Sequence, residues 1–91
     1  MSLFRRAPGV SSRVIEGRAV VVVMPRETLH SLNPSGTFLW EVIGDTGQTR
    51  DALRDHLSKR YQLDGGRAAS DVDQFLSQLT ELGALEVAND G

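Results

Sequence analysis

Apolar positions along this chain change period once, close to Asn33. Before it they alternate or run together, and after it they recur at spacings of three and four. Residues 12–16 read as a short strand, and Glu16-Gly17 as a tight turn in which Gly17 takes positive φ. Residues 18–24 form a stronger strand built on Val20, Val21, Val22 and Val23. A valine run without alternation predicts a central strand, contacted on both sides or both edges. Pro25-Arg26 breaks it. Residues 27–32 then make a third strand, in which Leu29 and Ser31 alternate with Thr28, His30 and Leu32. Three strands joined by two tight turns predict an antiparallel meander.

Asn33-Pro34 marks the change of period. Asn33 is a good N-cap, because its side-chain oxygen accepts from free N–H groups of a first helical turn. Pro34 suits the first helical position and keeps Asn33 out of the helical region. Phe38, Leu39, Val42 and Ile43, with Trp40 beside them, then predict a helix over 34–43, closed by Gly44-Asp45-Thr46-Gly47. Gly36 within its first turn has two readings: simple fraying, or close approach of another backbone or a ligand. Thr49 caps a second helix, with Asp51 in its first turn and Leu53, Leu57 and Tyr61 on its buried face.

Asp64-Gly65-Gly66 reads as a loop, and Ser70 as the cap of a third helix, with Asp73 completing a capping box. Val72, Phe75, Leu76, Leu79 and Leu82 make the clearest helical stripe in the chain. Gly83 ends it, and Leu85 and Val87 suggest a short terminal strand. The ends, 1–8 and 88–91, are expected to fray. Strands first and helices after indicate α+β: a winged-helix-like, three-stranded antiparallel sheet followed by a three-helix bundle.

Ninety-one residues predict one domain with a modest core and no deep enclosed cavity. Cysteine is absent, which removes disulfides, thiolate metal sites and cysteine nucleophiles and suits the cytoplasm. His30 and His56 lie in different elements with no clustered carboxylates, so no metal and no cofactor are expected. Ser11, Ser12 and Ser35 lack a base to activate them, so the chain does not read as an enzyme. No apolar segment follows Arg5 and Arg6 as in a signal peptide, and the apolar run 19–24 is far too short to span a bilayer.

The helical unit raises a winged-helix DNA-binding regulator as the alternative reading. The net charge of −2 opposes it, as does a third helix that carries Asp71, Asp73 and Glu81 and, over 70–82, neither Lys nor Arg. What remains is the sheet. If the valine strand is central, residues 27–32 form an edge of roughly 20 Å, at ~3.3 Å per residue. Such an edge can take an extended peptide through main-chain hydrogen bonds. It can also pair with a second copy as a homo-oligomer, or simply be guarded by its charges and histidine.

Three motifs in order carry a family resemblance. Leu32-Asn33-Pro34-Ser35-Gly36 followed by Phe38-Leu39-Trp40-Glu41 resembles the LNxTGxxIWxL junction of the PqqD family, with Ser35 replacing the usual threonine. Thr49, Leu53, Leu57 and Tyr61 resemble its second helix. Asp71-Val72-Asp73-Gln74-Phe75-Leu76 with Leu79 and Leu82-Gly83-Ala84-Leu85 resembles its closing DVxxFLxxLxxxGLL element. The loop 44–48 departs from the common Asp-Gly ending of the first helix.

The resemblance implies a RiPP recognition element, a peptide chaperone in natural product biosynthesis. Such a domain binds the leader of a ribosomally made precursor and presents it to a modifying enzyme, a radical SAM enzyme in pyrroloquinoline quinone synthesis. The leader adds as a strand. Carried over, the pairing residues are Glu27, Thr28, Leu29, His30, Ser31 and Leu32. Helical spacing nominates Asp71, Phe75 and Gln78 as the groove wall. Nucleic acid and membrane are not expected partners.

Overall fold

The computed structural model describes residues 2–24 and 28–89. Strand β1 (Ser2–Arg6) precedes the meander of β2 (Val10–Ile15), β3 (Arg18–Val23) and β4 (Thr28–Ser31). Helix α1 (Pro34–Ile43), the two-residue strand β5 (Gln48–Thr49), helices α2 (Arg50–Tyr61) and α3 (Gly65–Glu81), and strand β6 (Leu85–Asn89) follow. The meander is a three-stranded antiparallel sheet in the order β2-β3-β4, so the valine strand is central. With three helices, the fold is mixed α+β. Glu16 and Gly17 both take positive φ, 53° and 79°, and this turn sets Ile15 opposite Arg18. The break expected at Pro25-Arg26 and the first residue of the expected third strand, Glu27, lie outside the described residues, as do Met1, Asp90 and Gly91.

One face of the sheet packs on the helices. Ala19 and Val21 point into a core shared with Leu39, Trp40 and Ile43 of α1, Leu53 and Leu57 of α2, and Val72, Leu76 and Leu79 of α3. Trp40 is buried to 2% exposure, and its indole N–H donates to Ser12 Oγ at 2.9 Å, tying α1 to β2. Ser12 is thus an indole partner within the fold. Leu82 and Tyr61, assigned to buried stripes by their spacing, stand 38% and 37% exposed. Tyr61 packs edge-on against Phe38, with ring centroids 6.1 Å apart.

The expectation of frayed ends is corrected over residues 2–6 and 88–89. β1 lies between β5 and β6 in a second antiparallel sheet, with Leu3 opposite Thr49 and Ala88, and Phe4 opposite Gln48 and Val87. No periodicity over five residues could announce a strand whose partners stand at the middle and end of the chain. Arg6 fastens β1 to α1. Its Nη2 donates to the Trp40 carbonyl at 2.8 Å, and its guanidinium sits 4.4 Å from the Trp40 ring centroid. Desolvation lowers the Arg6 pKa, against the opposing pull of Asp45 and Glu41.

Gly47 lets the chain pass close to β1. It has φ 90°, and a Cβ there would stand 2.9 Å from the Phe4 carbonyl oxygen. Gly47→Ala is therefore expected to destabilise the protein by at least about 1 kcal/mol, read as a lowered urea midpoint.

The start of α3 is also corrected. It begins at Gly65, capped by Asp64, whose Oδ1 accepts from Arg67 N at 2.7 Å; Ser70 lies inside the helix. Glycine propensity argued for a loop at 65–66, but a strong cap overrides it in the first turn. The longer helix also contains Arg67, so α3 is not free of basic residues.

Asp73 serves no capping box. It forms a two-pronged ion pair with Arg50 of α2, which donates through Nε and, at 2.9 Å, through Nη2. That hydrogen bonding holds the Asp73 carboxyl below its ordinary range. A carboxylate with a depressed folded pKa stabilises above its unfolded value, about 3.9, and loses that contribution as pH falls through the folded value. The stability difference between wild type and Asp73→Asn should accordingly stay flat above about pH 5 and shrink on further acidification. Urea melts at stepped pH would check this.

Candidate functional site

The junction between β4 and α1 is held by a small hydrogen-bond network. Leu32 N–H donates to the Ala19 carbonyl at 2.8 Å. The reciprocal bond is not made, because Ala19 N–H donates to Thr37 Oγ1 at 2.9 Å. The Leu32 carbonyl instead accepts from Arg18 Nε at 3.0 Å and from the Thr37 hydroxyl at 3.5 Å. Asn33 Oδ1 caps α1 by accepting from Gly36 N–H at 2.7 Å and from Ser35 Oγ at 3.2 Å. A Cβ on Gly36 would stand 2.9 Å from that cap oxygen and 3.7 Å from Phe75 Cδ1. The nearest atoms at Gly36 are thus side-chain atoms of Asn33, Leu32 and Phe75. Thr37 is buried and polar, and its hydroxyl closes the strand ladder.

This network sets the phase of the β4 edge. In an antiparallel pair, hydrogen-bonded and non-hydrogen-bonded positions alternate. The Leu32–Ala19 bond and the observed register place His30 against Val21, and Thr28 against Val23, at inward-bonding positions. Leu29, opposite Val22, and Ser31, opposite Val20, then turn their N–H and C=O groups away from β3. No strand covers that side of β4 among the described residues. The open edge therefore offers two donors and two acceptors, from Leu29 and Ser31.

Helix α3 runs beside this edge, and two hollows separate them. The first, of about 450 Å³, is bounded by Leu29, His30, Leu32, Gln78, Leu79 and Leu82. The second, of about 460 Å³, continues past Ser31 and Leu32 to Asp71, Phe75 and Gln78. Of the residues singled out from the sequence, Thr28, Leu29 and Ser31 are exposed, His30 is half-buried and Leu32 is buried. Leu29 is 68% exposed, a large apolar side chain left in solvent. Phe75 is buried at 7% and forms both core and hollow wall, whereas Gln78 is exposed and borders both hollows. Thr28 lies apart, in a recess near Met24 and Leu82. Glu27 lies outside the described residues.

Arg18, Arg67, Leu79 and Leu82 are among the residues that border the hollows without having been singled out for this edge. Leu79 and Leu82 belonged to a stripe that periodicity assigns wholly to the core. Arg67 lies between the loop expected at 64–66 and the cap expected at Ser70. His56 sits exposed on α2, away from both hollows. Among the described residues no group of three or more His, Cys, Asp or Glu is placed to hold a metal ion, and no helix is long and apolar enough to cross a membrane.

Among the described residues, the chain is thus a small α+β protein with an edge strand left open beside its last helix. Residues 20–85 match the family model described as Coenzyme PQQ synthesis protein D (PqqD), and the chain belongs to that family. The match runs from within β3 to Leu85, so it takes in β4, the junction and α3. Among solved structures, the chain is similar to TbiB1 in complex with the TbiA(β) leader peptide, with a TM-score of 0.84. That alignment covers 94% of this chain and 99% of TbiB1 at 21% identity, a likeness of fold. Comparison with curated protein sequences finds no match.

Proposed function

We propose that this protein is a non-catalytic peptide chaperone. It captures the leader of a ribosomally made precursor as an added strand along β4 and presents it to a separate modifying enzyme. The observation that carries this reading is the open edge itself: four unpaired main-chain groups on Leu29 and Ser31, set beside hollows between β4 and α3. Main-chain bonds along an edge supply affinity, and side-chain hollows beside it supply selectivity.

An added strand alternates its side chains. Those opposite Leu29 and Ser31 lie on the outer face of the sheet. Those opposite His30 and Leu32 point toward α3, where Phe75, Gln78, Leu79 and Leu82 receive them. Membership of the PqqD family supports the reading, as does the leader peptide bound to the similarly folded TbiB1.

Fluorescence anisotropy with labelled leaders, taken from short open reading frames that neighbour the gene, tests the proposal. Saturable binding of one of them is expected. If none binds, the peptide-capture reading is wrong.

A further inference from the structure

The two hollows differ in charge, and the difference bears on which peptide can be held. The hollow next to Leu29 is walled by Leu29, Leu32, Leu79 and Leu82, and its one charged carboxylate neighbour is Glu81, with no Arg or Lys in its lining. The hollow at the Leu32 end brings together Arg18 from β3 and Arg67 from α3, with Asp71 as its one carboxylate. Arg67 Nε meets Asp71 Oδ2 at 3.6 Å, an exposed i,i+4 pair of the weak kind. Arg18 spends its Nε on the Leu32 carbonyl and has no carboxylate partner among the described residues. Arg18 borders a space of about 460 Å³, ample for a side-chain carboxylate. In a chain of net charge −2, this is a locally basic spot at the end of the open edge.

Resting on the peptide-capture reading, we infer that the bound leader carries an aspartate or glutamate that Arg18 and Arg67 receive. That residue lies within two or three positions of an apolar residue that fills the hollow at Leu29 and Leu82. The acceptor geometry favours a carboxylate over a neutral amide, because a guanidinium fork binds two carboxylate oxygens at once. Main-chain pairing accepts any sequence, so this subsite is where one leader is told from another.

The test uses synthetic leader peptides with acetylated N-termini and amidated C-termini, so that only side-chain carboxylates remain. Each Asp and Glu is replaced in turn by Asn or Gln and titrated against wild type, Arg67→Gln and the Arg18→Gln/Arg67→Gln double variant. One replacement should weaken binding to wild type about tenfold and change binding to the double variant less than twofold. Because Arg18 also braces Leu32, Arg67→Gln alone is the second variant: it leaves that brace intact and should by itself shrink the loss caused by the same replacement. The subsite is overturned if every acidic residue can be neutralised at less than twofold cost, or if the loss is equal on the double variant. Absence of any leader binding to wild type overturns the peptide-capture reading itself, and the subsite with it.

Discussion

A Leu29→Pro variant will fold and will fail to bind a leader peptide. Proline removes one main-chain donor, and at most edge positions it also removes a rung that holds the sheet together. At Leu29 it does not, because the phase set by the Leu32–Ala19 bond turns the Leu29 N–H away from β3. The fold loses nothing in its ladder, while an incoming strand loses a bond and meets the proline ring. A loss of more than about a hundredfold in affinity is expected, from the missing hydrogen bond and the displaced neighbours together. His30→Pro is the contrasting variant. Its N–H bonds inward at the Val21 position, so it should lower stability whether or not a peptide is present. Circular dichroism melts and leader titrations on the two variants separate these outcomes. A folded Leu29→Pro that binds normally would falsify strand addition.

Thr37→Val should destabilise the protein by about 1–3 kcal/mol, because the Ala19 N–H is left buried without an acceptor. For a chain of this size that corresponds to roughly 4–8 °C of melting temperature per kcal/mol. Thr37→Ser keeps the hydroxyl and should recover most of the loss. The effect reaches beyond stability. Thr37 makes the ladder single-bonded at Leu32, and its hydroxyl joins the last rung of β4 to the first turn of α1. Without it the strand end and the hollow bounded by Ser35 and Gly36 are no longer held in one arrangement, so leader affinity should fall as well.

These outcomes separate what could be read from residues alone and what could not. The meander and the first two helices were legible because each signal was local: valines in a run, a cap at Asn33, a proline at 34, a stripe at three and four. The PqqD family was legible in the junction and the closing helix. The missing parts depend on contacts between distant segments. β1 is a strand only because β5 and β6 flank it. Asp73 looked like a local capping residue, and only the packing of α2 on α3 gives it Arg50. The phase of the β4 edge follows from its register on β3, fixed by the Leu32–Ala19 bond, and no alternation within 27–32 encodes it. Arg18 and Arg67 lie 49 positions apart, in a strand and in a helix's first turn, and chain order gives no reason to pair them.

The small second sheet has a practical consequence. β1 and β6 run antiparallel with Ser2 beside Asn89, so the first and last described residues are neighbours. Their strands, through Phe4 and Val87, sit by the side of α3 that carries Asp73, Leu76 and Thr80, whereas Asp71, Phe75 and Gln78 border the hollow on the other. A tag, a tether or a whole fused domain joined next to Ser2 or next to Asn89 would therefore leave from the same side of the described fold, away from the open β4 edge. The same closeness makes the protein a good subject for circular permutation, with a short glycine link joining the old ends and new ones opened in the Glu16-Gly17 turn.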